Sequence, residues 1–327
     1  MRERLRLPLT VVWVLARARD EGLASLPGPS DGAQLVIGEA AAAFEGQPPP
    51  DVILVCSSGR ELLGAVLPMA PKVRWIHSRS VGVEGLPLAA IAERGVPFTN
   101  GRGVFSVSLA EWVLAAVLFF AKDLRRLVKS QEAGRWDPFP PTLLAGRWMG
   151  IVGYGDIGRA VVARARALGM RIRALRRNPA APSGDPAPDE MVPRERLVDL
   201  MALSDDVVVT TPLTPETRGL VGEREIAAMK PTGVLVNVGR GAVVQEKPLV
   251  DALRRRAIRG AALDVFDTEP LPAGHPFFAL DNLLLSPHSA DQVPGWLAQA
   301  SHAFRENLAR FREGQPLEHL VDPRRGY

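Results

Sequence analysis

The sequence predicts an α/β protein with two doubly wound parallel β-sheets, each in its own domain. Three observations support this fold class. The chain has 327 residues, which is enough for two hydrophobic cores. Short apolar runs alternate with amphipathic helical segments, as in parallel sheets with right-handed crossovers. A glycine-rich turn, Gly153–Gly158, stands between a strand and a helix near the middle of the chain.

The composition is that of an ordinary globular protein, with 46% hydrophobic and 23% charged residues. The net charge is +4, and the basic residues, nearly all arginine, are spread over amphipathic helices. We therefore expect no nucleic-acid partner. The apolar run Leu109–Ala121 is too short to span a bilayer and contains Glu111, so we expect a core helix and no membrane partner.

The single cysteine, Cys56, lies inside the apolar run Val52–Cys56. No disulfide framework can form, which favours a buried thiol and a cytoplasmic protein. The N-terminus imitates a signal peptide, with Arg2, Arg4 and Arg6 preceding the apolar stretch Leu7–Ala16. Glu3 and the valines of that stretch favour a first β-strand instead.

The part of the chain before residue 103 alternates predicted strands with the predicted helices Gly59–Leu67 and Leu86–Glu93. The strands are Thr10–Leu15, Gln34–Ile37, Asp51–Cys56, Val73–His77 and Val96–Thr99. A glycine-flanked joint, Asn100–Gly103, ends this part. One long helix is predicted beyond it, from about Ser106 to Val128.

The middle of the chain repeats the alternation of strand and helix. Its predicted strands are Met149–Val152, Arg171–Leu175, Asp206–Thr210, Gly233–Val238, Gly260–Leu263 and Asn282–Ser286, and its predicted helices are Ile157–Leu168, Arg194–Leu203, Glu223–Met229 and Lys247–Ala257. Pro179–Pro193 holds five prolines and is predicted to be a loop. The last helix, Pro294–Glu313, is expected to return to the first domain.

The glycine turn, Gly153-Tyr154-Gly155-Asp156-Ile157-Gly158, is a G-x-G-x-x-G motif in the strand–turn–helix context that dinucleotide binding requires. Gly153 permits the turn, Gly155 lets the backbone approach a pyrophosphate, and Gly158 lets the helix pack on the strand. The helix N-terminus offers free N–H groups to phosphates. The alternative is a glycine-rich turn without a ligand.

The residues after the next strand predict which coenzyme binds. Dinucleotide sites for NAD(H) carry an acidic residue about 20 positions after the glycines. Here the strand ending at Leu175 is followed by Arg176-Arg177-Asn178, without an acid. Two guanidinium groups suit a 2′-phosphate, so we predict a preference for NADP(H) over NAD(H). The alternative is a solvated arginine pair that leaves NAD(H) acceptable.

Three polar residues follow predicted strands of the middle part: Arg240, Glu269 and His288. In an open α/β sheet, ligands bind beyond the carboxyl ends of the strands. Arginine can hold a carboxylate bidentately, histidine can move the proton that accompanies hydride transfer, and a carboxylate can support the imidazolium. Each residue alone could be an ordinary surface group, but together they predict a catalytic triad.

These motifs resemble those of the D-isomer-specific 2-hydroxyacid dehydrogenase family, and the resemblance covers nearly the whole chain. Further matching segments are Val81-Gly82-Val83, Ala110-Glu111, Thr211–Thr217 and Val321–Tyr327. The resemblance implies a Rossmann cofactor domain inserted into a flavodoxin-like substrate domain. We place the cofactor domain at residues 103–289 and the substrate domain at residues 1–102 plus 290–327.

The resemblance also implies roles for individual residues. His288 is the acid/base with Glu269 as its partner, Arg240 binds the substrate carboxylate and carbonyl, and the amides near Val81 and Gly82 help to hold that carboxylate. Coenzyme contacts are implied at Tyr154, Asp156, Ile157, Thr211, Pro212, Thr217, Val238, Gly239 and Asp264, the last near the nicotinamide amide. Family members are usually homodimers joined through the cofactor domain, so the helix around Leu109–Ala121 is an expected interface element.

The expected reaction is NADPH-dependent reduction of a small 2-oxo acid to the D-2-hydroxy acid, with glyoxylate or hydroxypyruvate as first candidates and no metal. Glu84, Gln245 and Arg176 depart from the family pattern, and only Arg176 affects a prediction, that of the coenzyme. Rival functions are a 3-phosphoglycerate or phosphite dehydrogenase and a nucleotide-sensing corepressor. The chain ends soon after the closing motif, so we expect no appended regulatory domain.

Overall fold

The computed structural model describes residues 8–178, 180 and 186–327. The arginines that suggested a signal peptide, Arg2, Arg4 and Arg6, and part of the proline-rich loop lie outside these residues. The chain divides into two compact units. One unit ends at Val104 and resumes with Pro294–Tyr327, and the other is Phe105–Val293.

The first unit contains a parallel sheet of five strands in the order β2-β1-β3-β4-β5. These are β1 (Thr10–Leu15), β2 (Ala33–Gly38), β3 (Val52–Val55), β4 (Trp75–Ser78) and β5 (Phe98–Asn100). They match the predicted strands, with ends shifted by at most two residues. The order is that of flavodoxin-like sheets, and it reverses between β1 and β3, where such sheets bind ligands.

The helices of this unit are shorter than predicted. Helix α1 (Leu63–Val66) is a single turn between two 3₁₀ segments, Ser57–Leu62 and Leu67–Met69, and α2 is Leu88–Arg94. The prediction of one α-helix over Gly59–Leu67 was therefore wrong in type. Pro68 lacks the N–H that a continuing α-helix would use, which accounts for the end of α1 at Val66 but not for the 3₁₀ segment before it.

The second unit begins with two helices where one was predicted, α3 (Ser106–Ala121) and α4 (Leu124–Glu132). The prediction of a single helix to Val128 was wrong because Asp123 adopts a left-handed conformation, with φ of 49°. No glycine or proline marks this break in the sequence. Most of α3 is buried, and it packs against a later helix, Asp156–Ala167.

The second sheet has seven parallel strands in the order β12-β11-β10-β9-β6-β7-β8. The strands are β6 (Trp148–Val152), β7 (Arg171–Leu175), β8 (Glu190–Val192), β9 (Asp206–Val209), β10 (Val234–Asn237), β11 (Gly260–Leu263) and β12 (Leu283–Leu285). The helices of this unit that follow α4 are α5 (Asp156–Ala167), α6 (Leu197–Leu203), α7 (Glu223–Ala228) and α8 (Glu246–Arg254). The order reverses between β6 and β9, as in the dinucleotide-binding fold. Strand β8 lies within the segment that was predicted to be a proline-rich loop. It was not predicted, because three residues are too few to show an apolar pattern.

Buried residues form the cores of both sheets. Strands β3, β9, β10 and β11 are buried along their whole length, as expected for parallel strands covered on both faces. Cys56 is fully buried as predicted, and burial raises the pKa of its thiol to about 12. Helix α9 (Trp296–Arg312) returns to the first unit, where Phe304 and Leu308 join the core beside β1 and β3.

In the part of the chain that the structure describes, no helix is both long enough and apolar enough to cross a bilayer.

Candidate active site

The glycine turn lies between β6 and α5, at the carboxyl edge of the second sheet. Gly153 has φ of 105°, a conformation that strongly favours glycine. A Cβ atom at Gly158 would lie 2.7 Å from the carbonyl oxygen of Gly153, so glycine permits the close approach of α5 to β6. These two glycines are required by the fold itself.

Gly155 has no such requirement. A Cβ atom there would have no neighbour within 4 Å, and its φ of −104° is open to any residue. Beside the turn, the hydroxyl of Thr211 is buried without a hydrogen-bond partner among the described residues. Open space at a helix N-terminus and an unpaired buried hydroxyl both fit a phosphate-bearing dinucleotide.

The other side chains of the turn have partners within the protein. Tyr154 is buried, and its hydroxyl donates a hydrogen bond to the carbonyl of Pro186. Asp156 pairs with Arg159 on the first turn of α5, and Ile157 is half-buried. The backbone of the turn, rather than these side chains, is therefore its ligand-facing part.

Arg176 and Arg177 follow β7, whose last residue, Leu175, pairs with Val152 at the end of β6. The arginines and the glycine turn therefore leave neighbouring strands at the same edge of the sheet. Nε of Arg176 donates to the carbonyl of Asn178 at 2.8 Å, and Arg177 is exposed.

A carboxylate near these arginines was not singled out from the sequence. Glu216 is exposed in the loop after β9. A hydrogen bond with Thr214 lowers the pKa of its carboxyl group, and the charges of Arg177 and Arg194 act in the same direction. Its position depends on the loop conformation, which no sequence pattern indicates.

Hydrogen bonds within the loop after β9 shape the predicted coenzyme contacts Thr211, Pro212 and Thr217. The hydroxyl of Thr217 donates to the carbonyl of Pro212 at 2.6 Å and accepts from the amide of Thr214 at 2.8 Å. Thr217 is therefore occupied in fixing the loop.

Arg240 leaves the end of β10 beside Val238 and Gly239. Val238 is buried and extends the sheet by donating to Val209. A Cβ atom at Gly239 would lie 2.6 Å from the carbonyl oxygen of Thr211, so this glycine lets two strand ends approach each other. Nη1 of Arg240 donates to the carbonyl of Gly239 at 2.7 Å, and the side chain remains partly exposed.

Glu269 and His288 form a dyad between the loops that follow β11 and β12. Oε2 of Glu269 lies 2.6 Å from Nδ1 of His288, and Oε1 accepts from the amide of Phe266 at 2.8 Å. The His288 side chain is 41% exposed. Its other nitrogen, Nε2, has no hydrogen-bond partner in the described part of the chain. Nε2 is therefore available as a proton donor or acceptor.

Asp264 is nearly fully buried and contacts the residues that follow His288. Its Oδ1 accepts from the amides of Ser289 and Ala290 at 3.0 and 3.1 Å. Burial raises the pKa of this carboxyl group, although these hydrogen bonds oppose the change. The structure therefore gives Asp264 a role in holding the turn on which His288 adopts φ of 50°.

A second acid near the dyad, Asp291, was not singled out as a site residue. Burial raises the pKa of its carboxyl group, and the charges of His288 and Arg240 oppose that change. Asp291 thus lies within the electrostatic reach of both predicted catalytic cations. An acid three positions after the histidine was the only signal in the sequence.

The comparison with known proteins decides the family. Residues 114–290 match the family model described as D-isomer specific 2-hydroxyacid dehydrogenase, NAD binding domain, which is more than half of the chain. The chain belongs to the D-isomer specific 2-hydroxyacid dehydrogenase family. It is an NAD(P)-dependent dehydrogenase, as the resemblance implied.

Individual relatives agree with this assignment. A glyoxylate reductase from Korarchaeum cryptofilum is 34% identical over 79% of this chain and 78% of that enzyme. A D-3-phosphoglycerate dehydrogenase from Methanocaldococcus jannaschii is 32% identical over 83% of this chain, which spans only 51% of that enzyme. A D-isomer specific 2-hydroxyacid dehydrogenase from Xanthobacter autotrophicus Py2, solved with NADPH and MES, is 32% identical with a TM-score of 0.82, covering 98% of this chain and 100% of that one. The predicted two-sheet fold class is confirmed.

In the first unit of the dehydrogenase, the predicted carboxylate-binding amides, those of Val81 and Gly82, belong to the segment Ser80–Gly82 after β4, which we call the carboxylate-binding segment. Each of its carbonyls accepts a hydrogen bond. The carbonyl of Ser80 accepts from the hydroxyl of Ser78 at 3.1 Å. The carbonyl of Val81 accepts from Nδ2 of Asn100 at 2.7 Å, and that of Gly82 accepts from Nη2 of Arg60 at 2.9 Å. The amides of Val81 and Gly82 donate to no described residue, so they remain available to an anion.

In the second unit of the dehydrogenase, a cavity of about 610 Å³ adjoins the dyad. Apolar side chains dominate its lining, including Phe266, Leu271, Phe278 and Leu285. No sequence pattern indicated this cavity, because its lining comes from separate loops. The cavity therefore places an apolar surface beside the partly exposed dyad.

Among the described residues of the dehydrogenase, no group of three or more His, Cys, Asp or Glu side chains is arranged to hold a metal ion.

Proposed function

We propose that this dehydrogenase reduces a small 2-oxo acid, glyoxylate or hydroxypyruvate, to the D-2-hydroxy acid with NADP(H). The observation that carries the proposal is the 2.6 Å contact between Nδ1 of His288 and Oε2 of Glu269. This dyad follows strands of the same sheet that carries the glycine turn. The glyoxylate reductase among the relatives supports the choice of substrate.

Residues of the second unit would hold the coenzyme. The backbone of Gly153–Gly158 and the hydroxyl of Thr211 would face its phosphates, and Arg176 and Arg177 would bind the 2′-phosphate of NADP(H). The coenzyme, when bound, supplies or accepts the hydride. The NADPH in the Xanthobacter relative supports this preference, with NAD(H) as the second coenzyme.

The side chains of the dyad would move the proton. Glu269 engages Nδ1 of His288, so Nε2 donates its proton to the carbonyl oxygen of the 2-oxo acid as the alcohol forms. In the reverse direction Nε2 accepts that proton. Glu269 stabilises the charged imidazole and fixes its orientation, and the amide of Phe266 fixes Glu269 in turn.

Cationic and backbone donors would bind the substrate carboxylate. Arg240 offers a guanidinium that binds a carboxylate bidentately and polarises the adjacent carbonyl. In the first unit, the amides of Val81 and Gly82 are the proposed donors to a substrate carboxylate. Because these contacts involve only the 2-oxo acid group, they do not distinguish one small substrate from another.

A 2-oxo acid bearing a 3-phosphate is the second candidate substrate, because of the similarity to a D-3-phosphoglycerate dehydrogenase. The decisive experiment follows coenzyme absorbance with glyoxylate, hydroxypyruvate, pyruvate and 3-phosphohydroxypyruvate, each with NADPH and NADH. We expect the highest kcat/KM with glyoxylate or hydroxypyruvate and NADPH. A preference for the phosphorylated substrate, or binding without turnover, would contradict the proposal.

We further propose a cytoplasmic homodimer joined through the second unit. The lone buried Cys56 supports a reducing compartment. The predicted interface helix, Leu109–Ala121, is mostly buried in its own unit. Better support comes from exposed apolar side chains on α4 and beyond it, including Val128 (53% exposed), Leu143 (74%) and Trp136 (97%). Light scattering should give twice the chain mass of 35.3 kDa, and a monomer would contradict this.

A further inference from the structure

A buried ion pair precedes the predicted carboxylate-binding segment in the first unit. Arg79 stands immediately before Ser80, and its Nη1 and Nη2 donate to Oδ1 and Oδ2 of Asp20 at 2.8 and 2.7 Å. The two side chains are only 3% and 7% exposed. The pair therefore joins the end of β4 to the loop after β1, across 59 positions of the sequence.

Further contacts connect this pair to the end of β3. The carboxylate of Asp20 also accepts from the amide of Gly22 at 2.9 Å and from the hydroxyl of Ser58 at 3.1 Å. Ser58 accepts in turn from the amide of Arg17 at 3.1 Å. The carboxylate of Asp20 thus connects the residues that follow β1, β3 and β4. These strands lie on both sides of the point where the strand order reverses.

Two glycines make room for Arg79. A Cβ atom at Gly22 would lie 2.2 Å from Nη1 of Arg79, and one at Gly101 would lie 2.4 Å from the carbonyl oxygen of Arg79. Neither glycine has a left-handed φ that would require glycine for another reason. The local sequence is therefore adapted to this one side chain and its backbone.

Stability alone does not account for a buried ion pair. The cost of removing both charges from water is large, and well-packed apolar residues often stabilise a fold equally well. What a bidentate guanidinium–carboxylate pair supplies in addition is a fixed geometry. That geometry is applied next to Val81 and Gly82, whose carbonyls are held and whose amides remain available.

We propose that Asp20 and Arg79 are positioning residues that fix the amides of Val81 and Gly82 for the carboxylate of the 2-oxo acid. This proposal rests on the proposed function, since it assumes that substrate class. Because both side chains are almost fully buried, the pair is proposed to act through this segment and not by direct contact with the substrate. Its loss should weaken binding of the oxo acid while leaving proton and hydride transfer nearly intact.

Two variants test the pair. Asp20→Asn keeps the shape and removes the charge. The double variant Asp20→Leu/Arg79→Met replaces the pair with apolar side chains and leaves no lone buried charge, so it protects against a failure to fold. We expect each to raise KM for the 2-oxo acid by about 10-fold to 100-fold, with kcat within about 3-fold and KM for NADPH unchanged. The matched control is Asp281→Asn, which breaks the exposed ion pair with Arg256.

Hydrogen exchange provides a readout that does not need turnover. The amides of Arg79 and Gly101 donate to the carbonyls of Val55 and Ser80, so both should exchange faster in the two variants. Unchanged exchange together with unchanged KM overturns the proposal. Faster exchange without a change in KM also overturns it, because the segment would then not position the substrate. If the wild type reduces no 2-oxo acid, the proposed function fails, while exchange still decides whether the pair orders this segment.

Discussion

Oε2 of Glu269 lies 2.6 Å from Nδ1 of His288, while Oε1 of the same carboxylate accepts from the amide of Phe266 at 2.8 Å. The carboxylate thus fixes the imidazole and is itself fixed by the backbone. Such an arrangement orients a proton-transferring histidine before the substrate arrives.

Glu269→Gln should lower kcat by about 100-fold, because the neutral amide cannot stabilise the charged imidazole during proton transfer. Steady-state kinetics with a 2-oxo acid and NADPH test this effect. The matched control is Glu246→Gln, because Glu246 also accepts from a backbone amide, at 3.0 Å, and faces His275 at 3.5 Å. Equal effects of the two substitutions would contradict a special role for Glu269.

Asp264→Ala should lower both stability and kcat. It removes the acceptor of the Ser289 and Ala290 amides and loosens the turn that carries His288. Asp264→Asn should recover most of both properties, because its amide oxygen can still accept and burial already raises the pKa of Asp264 toward the neutral form. Thermal unfolding and kcat are the measurements. An alanine variant that behaves like the wild type would show that the turn holds itself.

The double variant Arg176→Gln/Arg177→Gln should lower kcat/KM for NADPH by about 10-fold to 100-fold and leave the value for NADH nearly unchanged. The loss is expected because these two guanidinium groups are the proposed partners of the 2′-phosphate. Arg171→Gln is the control, since Arg171 lies at the opposite end of the same strand, stacked over Trp148. Parallel losses with both coenzymes would count against a 2′-phosphate site.

His77 should make the first unit less stable in acid. Burial lowers the pKa of its imidazole from about 6.5 to about 3, so below pH 6.5 the unfolded chain binds a proton that the folded chain does not. The contribution of His77 to stability should therefore fall by about 1.4 kcal/mol per pH unit as the pH drops from 6.5 toward 3. Urea unfolding at several pH values should show a greater loss of stability in acid for the wild type than for His77→Asn, and the difference between the two is the contribution of His77. His302→Asn, at an exposed position on α9, should keep the wild-type slope.

The local pattern of the sequence predicted much of this architecture. Alternating apolar runs marked the strands, because burial on both faces of a parallel sheet demands apolar residues in succession. The same pattern did not predict structure at positions where the spacing of apolar residues does not determine the backbone conformation. The left-handed Asp123 divides a predicted helix without a glycine or proline, and β8 is too short to be seen among prolines.

The candidate site also contains features that the sequence predicted and features that only the structure shows. The positions of Arg240, Glu269 and His288 after strands directed them to one sheet edge, and the structure brings Glu269 and His288 into contact. It gives Asp264 a turn-holding role that the sequence did not suggest, and it adds Asp291 near the two cations. Gly239, expected at the coenzyme, is also required by the approach of Thr211.

By itself, the sequence determined the two-sheet α/β fold class, the family and the glycine turn, because these depend on the order and spacing of residues along the chain. Only the tertiary structure decided which polar atoms are satisfied and which remain available. The ion pair of Asp20 with Arg79 and the free amides of Val81 and Gly82 depend on contacts between residues far apart in sequence. Such contacts form only when the strands are assembled, since no local pattern specifies the partner of a buried charge.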